Sequence, residues 1–102
     1  MVQKKIKTIV WSKNAEKQYY EILNHLLEEA PQAIDKVGNA LLDTIDDLAL
    51  HFNHYPSDRF KRNNDGTYKA ALVFSYRISY QIGGTTVNIL RIRHTSKEPL
   101  DF

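Results

Sequence analysis

Residues 76–82 read YRISYQI, and this alternation restricts the chain more than any other feature. Successive side chains of a strand leave opposite faces. Tyr76, Ile78, Tyr80 and Ile82 therefore share one face, and Arg77, Ser79 and Gln81 share the other. A strand with one apolar and one polar face belongs to a sheet packed on one side only, which is the habit of antiparallel sheets. Gly83-Gly84 then reads as a two-residue hairpin turn. Residues 85–93, TTVNILRIR, return as the next strand, and residues 67–74, TYKAALVF, precede as another, with Ser75 alone between, so that this turn is either very tight or takes in neighbouring residues.

The apolar sheet face needs a cover, and the first half of the chain supplies one. Ala15, Tyr19, Ile22 and Leu26 recur at helical spacing and predict a helix over 13–29, capped by Ser12 or Asn14. Ala30-Pro31 breaks it, and proline suits the first turn of a new helix. Ile34, Val37, Leu41, Ile45 and Leu48 form the stripe of that second helix. Gly38 inside it costs about 1 kcal/mol relative to alanine, which a close helix crossing would explain. Residues 6–11, IKTIVW, read as a strand, and residues 52–66 as a loop ending in the Asn64-Asp65-Gly66 turn. The order is β-α-α-β-β-β, an α+β fold with a helix hairpin on one face of a small, mainly antiparallel sheet. No element remains to cover the Arg77 face.

At 102 residues with 42 % hydrophobic content, residues 1–102 form one domain with a core of its own. The absence of cysteine excludes disulfides and thiolate metal sites. No apolar run reaches the ~20 residues of a membrane span, and the basic start, MVQKKIKTIVW, has too short an apolar part for a signal peptide. A soluble cytoplasmic protein is expected. The net charge of +2 is unevenly placed: residues 1–10 carry +3, residues 11–55 carry −5 and residues 56–102 carry +4. If the basic ends meet in space, one surface suits a polyanionic partner. A mixed surface with chance asymmetry gives the same count.

Arg77 is the most informative single residue. Its guanidinium stays charged and presents a fork matched to phosphate or carboxylate. Lys69 on one neighbouring strand, Arg91 or Arg93 on the other, and Lys61 and Arg62 in the preceding loop are expected near it. The group reads as a phosphate-binding face, or as charges that deter edge pairing. His94 reads as an acid or base, or as a pin holding the strand end. His51 and His54 lack further ligands at matching spacing, so no metal site is expected. No phosphate-binding glycine loop and no nucleophile elbow is present, and no cofactor is expected. The tyrosines at 19, 20, 55 and 68 read as packing aromatics.

The ordered set "VWS", Ala15 opening a helix, "AP" before a second helix, "YRISYQI" and "ILRIRHTSKEP" resembles the RelE/ParE superfamily of bacterial toxins over residues 6–99. The resemblance implies the toxin of a type II toxin–antitoxin (plasmid-stabilisation) module, neutralised by a co-encoded antitoxin whose extended or helical tail wraps it. The assembly implied is a homodimer or a toxin–antitoxin hetero-oligomer. RelE-like members cleave messenger RNA on the ribosome without metal. ParE-like members inhibit DNA gyrase. In the RelE-like case, Arg77 matches the arginine that contacts the scissile phosphate, and His94 would serve as acid or base. Lys61, Arg62 and Lys69 fall near that branch's basic residues. His94, Lys97 and Pro99 match the strand-end pattern frequent in ParE-like members. The chain has no tyrosine after Tyr80, where the ribonuclease branch often has one, and Phe102 cannot move a proton. The expectation is a ParE-like gyrase inhibitor, with the ribonuclease as the alternative. Arg77, Arg91, Arg93, Lys61, Arg62, Lys69 and Lys97 form the expected target-binding set.

Overall fold

The computed structural model describes residues 6–97. Lys4, Lys5, Pro99 and Phe102, which enter the sequence reading, lie outside the described residues. The elements are β1 (Thr8–Trp11), α1 (Lys13–Glu29), α2 (Ile34–His51), β2 (Tyr68–Val73), β3 (Tyr76–Ile82) and β4 (Thr86–His94), with short 3-10 turns at Pro31–Ala33 and Thr95–Lys97. The sheet order is β1-β4-β3-β2. β1 runs parallel to β4, and the other pairs are antiparallel. A parallel pair needs a crossover connection, and the helix hairpin is part of it. The α+β expectation holds. No described helix is long and apolar enough to cross a membrane.

Ser12 joins the first strand to the helix layer. Its backbone is extended, and its hydroxyl accepts from the Ala15 N–H at 2.9 Å, capping α1. The same hydroxyl donates to the Leu90 carbonyl at 2.9 Å. The Ser12 N–H donates to the Ile89 carbonyl at 2.9 Å. At the far end of α1 the Ala30 N–H closes on Leu26, and Pro31 enters a 3-10 turn before α2 begins at Ile34. The proline thus sits in that turn rather than in the first turn of α2 itself.

The core lies between α2 and the sheet. Leu41, Ile45 and Leu48 of α2 meet Ala71, Ile78, Tyr80, Val87, Ile89 and Ile92. Full burial of each large aliphatic side chain contributes about 1.5–3 kcal/mol, so the α2 stripe anchors the layer. α1 contributes Ala15 and Leu26 as buried residues and places Tyr19 and Ile22 at the margin. A methyl at Gly38 would come within 3.2 Å of Leu23 Cδ2 and 3.3 Å of the Tyr19 hydroxyl. Gly38 therefore marks the close helix crossing its cost suggested. Of the tyrosines read as packing groups, Tyr20 is exposed, at 57 %.

The turn between β2 and β3 takes in a neighbour of Ser75, one of the two expected forms, whereas the glycine turn differs from expectation. Phe74 and Ser75 both leave the ladder, and Phe74 takes φ 52°, a left-handed conformation that favours glycine or asparagine. The glycine hairpin is longer than two residues, since β3 ends at Ile82 and β4 starts at Thr86. The Gly83 N–H donates to the Thr86 carbonyl at 2.8 Å, and a methyl at Gly83 would stand 2.7 Å from Thr86 Oγ1. Lys7 Nζ closes the turn by donating to the Gly83 and Gly84 carbonyls, both at 2.7 Å.

Ser12→Ala removes the cap and the Leu90 bond together. It is expected to cost about 1–2 kcal/mol, read as a lower midpoint in urea denaturation. A second expectation concerns alkali. Tyr80 is fully buried and its hydroxyl donates to the Phe52 carbonyl at 2.8 Å. Burial, with a smaller contribution from Tyr55, raises its pKa well above the ordinary value. The folded state therefore holds the Tyr80 proton more tightly than the unfolded state. That stabilisation is complete below pH ~10, the unfolded tyrosine value, and is lost progressively above it. Unfolding measured from pH 9 to 11 should show this loss, and Tyr80→Phe should reduce its slope.

Candidate functional site

The strand register decides which cations meet. Arg77 lies opposite Leu72 on β2 and opposite Arg93 on β4. Ser79 lies opposite Ala70 and Arg91. Arg77, Arg91 and Arg93 therefore share the sheet face turned away from the helices. Strict alternation along β4 would instead put both arginines on the face of Val87 and Ile89, which are core residues. A bulge resolves the conflict. Ser79 pairs with Arg91 and Tyr80 with Ile89, leaving Leu90 as the extra residue. Past it, Ile92 faces the core and the arginines face outward. The Ser12 hydroxyl bonds the carbonyl of this bulged residue.

The Arg77 face is not bare, contrary to expectation. The segment 56–58 runs along β2, with Asp58 N–H donating to the Tyr68 carbonyl at 3.0 Å and Ala70 N–H to the Pro56 carbonyl at 3.1 Å. Asp58, Ala70 and Ser79 are each only 2 % exposed. The Asp58 carboxylate accepts from the Phe60 N–H at 3.0 Å. That bond turns Phe60 back over the sheet, where its ring lies 5.0 Å from the Arg77 guanidinium and 4.8 Å from that of Arg59. Lys61 Nζ stands 4.7 Å from the Tyr68 ring. Asn64 holds the returning loop by donating to the Tyr68 carbonyl at 2.9 Å and accepting from the Gly66 N–H at 2.8 Å. Asp65 accepts from the Thr67 hydroxyl and N–H, and these bonds, the hydroxyl first, hold its carboxyl below the usual carboxylate range.

The site is thus a set of cations stacked on rings: Arg59 and Arg77 on Phe60, Lys61 on Tyr68. Such pairs gain about 0.5–1 kcal/mol each at exposed positions. Stacking also fixes where the charge sits. Arg59 and Phe60 belong to this set and were missed in the sequence. The adjacent Arg-Phe pair in an aperiodic loop was the only available signal.

Three of the expected residues lie elsewhere. Lys69 pairs with Tyr80, so its side chain leaves on the helix side of the sheet, away from Arg77. Lys97 lies in the 3-10 turn Thr95–Lys97 and lines a cavity against α1 with His25. His94 pairs with Tyr76, one of the core-facing residues of β3, so the sheet separates His94 from Arg77. Its Nδ1 accepts from the Ser96 N–H at 3.0 Å and lies 2.8 Å from the Ser96 hydroxyl. Its ring packs edge-on against Tyr76 at 5.3 Å. This is the geometry of a pin at the strand end. Arg62 is exposed in the loop, its carbonyl accepting from Lys61 Nζ at 3.0 Å. His51 bonds Asp47 one helical turn earlier at 2.9 Å, and the His54 ring stands edge-on to Tyr55 at 5.1 Å.

Chemically, the open face offers fixed positive charge and planar stacking groups. By register, the His94 side chain leaves on the face opposite to Arg77. Phe60→Ala is expected to release both stacked guanidiniums, at a stability cost of about 1–2 kcal/mol. Guanidinium proton exchange of Arg77, followed by NMR, should accelerate in the variant.

Comparison with known proteins agrees with this architecture. The P. aeruginosa chromosomal ParDE toxin–antitoxin structure matches with a TM-score of 0.70 at 14 % identity, over 87 % of this chain and 96 % of that one. The RelBE2 toxin–antitoxin complex of Mycobacterium tuberculosis matches with a TM-score of 0.64 at 20 % identity, over 90 % of this chain and 94 % of that one. At these identities the likeness is one of fold. No curated protein matches the sequence. The family model for the ParE toxin of the type II toxin–antitoxin system parDE matches residues 9–99. By that match over nearly the whole chain, the protein belongs to the ParE toxin family of type II toxin–antitoxin systems.

Proposed function

We propose that the protein is a toxin that acts by binding its target, with DNA gyrase as that target, and that a co-encoded antitoxin neutralises it in the cytoplasm. The observation that carries this reading is the separation of Arg77 from His94 by the sheet. A ribonuclease built on this pair needs phosphate stabilisation and proton transfer at one substrate. Here the stacked cations of the outer face have the character of a contact surface. Their fixed charge favours an acidic or phosphate-rich partner and speeds its association. The family match points to the same branch.

Purified toxin is expected to inhibit gyrase supercoiling and to leave ribosome-bound messenger RNA uncut. Cleaved messages with untouched supercoiling would replace this reading with the ribonuclease. Arg77→Ala is expected to weaken gyrase inhibition about tenfold, equivalent to roughly 1.4 kcal/mol of binding. The loss should shrink as salt is raised through the screening range. His94→Ala is expected to keep growth inhibition within about threefold. A fall of about 10²–10⁴ would signal a proton-transfer role instead.

A further inference from the structure

Between α1 and the end of β4 lies a cavity of about 610 Å³, inside the range of about 300–1,000 Å³ usual for small-molecule pockets. It is not a slot for a further strand. On this side of β4 the Leu90 carbonyl accepts from the Ser12 hydroxyl, and the Ile92 N–H donates to Gln18 Oε1. The cavity therefore presents side chains rather than an open backbone edge.

Those side chains are mostly hydrogen-bond donors. Gln18 Oε1 is taken by the Ile92 N–H at 2.8 Å, so the NH2 group is the end of this amide left to bind. His94 Nδ1 accepts from the Ser96 N–H at 3.0 Å, which only an unprotonated ring nitrogen can do. The Ser96 hydroxyl, 2.8 Å from the same nitrogen, donates to it too. The His94 proton then sits on Nε2, which is a donor. His25, Tyr76 and Lys97 line the same cavity, and among the described residues no hydrogen bond or ion pair reaches their side chains. Glu21 is the acid of the lining, and Lys17 stands 3.9 Å from its carboxylate. Arg93 touches the cavity from β4, but its pairing with Arg77 sends its side chain to the outer face.

This balance selects a ligand. A carboxylate has too few acceptor sites for so many donors. A phosphate monoester brings three terminal oxygens and a charge of about −1.5 to −2 at pH 7. Ile22 and Ile92 add an apolar wall, and the Tyr76 ring stands edge-on to His94 at 5.3 Å. Such a wall suits the planar body of an ester and gives nothing to bare phosphate.

We propose that this cavity binds a small phosphomonoester with a planar body, the class of a nucleoside monophosphate. Lys97 supplies the charge that holds the phosphate. Gln18, His25, Tyr76 and His94 donate to its oxygens, and Ile22 and Ile92 cover the body. The site lies on the other side of the sheet from Arg77 and does not depend on which target the toxin binds.

The test uses the whole toxin with adenosine monophosphate, adenosine and inorganic phosphate as separate probes, followed by calorimetry and by NMR of the histidine rings. Adenosine monophosphate is expected to bind about tenfold or more tightly than either other probe, and to shift the ring signals of His25 and His94. Ser96 and Lys97 are exposed, so substitutions there leave the fold intact. Lys97→Met, which keeps the stem and removes the charge, should weaken adenosine monophosphate about tenfold. Ser96→Asp, which sets a negative charge at the phosphate position, should abolish its binding. Absence of binding in the millimolar range overturns the proposal, as does equal affinity for adenosine monophosphate and inorganic phosphate. Binding that is lost in Arg77→Ala but kept in Lys97→Met also overturns it, since the phosphate then sits on the outer face.

Discussion

The Ser12 hydroxyl is the contact on which the arrangement of this molecule turns. It accepts from the first turn of α1 and donates to the carbonyl of Leu90, the residue left over in the β3–β4 ladder. The helix cap and the bulge are thereby held by one oxygen. Without the bulge, the parity that buries Val87 and Ile89 would carry Arg91 and Arg93 into the core. Burial of unpaired charge is among the costliest events in folding. With the bulge, Ile92 takes the core position and the arginines stand beside Arg77. The same residue ends the β1–β4 pairing, and beyond it Gln18 of α1 accepts from the Ile92 N–H on that side of β4.

The two faces of the sheet consequently differ in chemistry. On the outer face, Phe60 and Tyr68 hold cations by stacking, supported by Asp58, whose buried carboxylate fixes the Phe60 backbone. On the helix face, the end of β4 meets α1 around an apolar-walled cavity with a basic rim. His94 belongs to the helix-side surface, where its bonds to Ser96 shape the turn that follows the sheet.

Most of the fold was readable because its periods are clean. YRISYQI alternates without error, the α2 stripe keeps helical spacing, and Ser12 stands where a cap is needed. The family likeness followed from the order of these blocks. Three features were not readable for physical reasons. The bulge is hidden because β4 has apolar residues at both parities, Val87 and Ile89 on one and Leu90 and Ile92 on the other. Lys69 was assigned beside Arg77 because register depends on the conformation of the Phe74-Ser75 turn, which composition does not reveal. The cover over the outer face comes from an aperiodic loop, whose path is set by long-range bonds such as Asp58 N–H to the Tyr68 carbonyl.

The central claim is that Arg77 and His94 act on different surfaces and not as one catalytic pair. A double-mutant cycle tests it most directly, with Arg77→Ala, His94→Ala and the double variant compared for potency against the isolated target. The account predicts that the two effects add within about 0.5 kcal/mol, as independent sites do. Groups that act as one catalytic unit are strongly non-additive. A coupling of about 1–3 kcal/mol between these two residues would contradict the account.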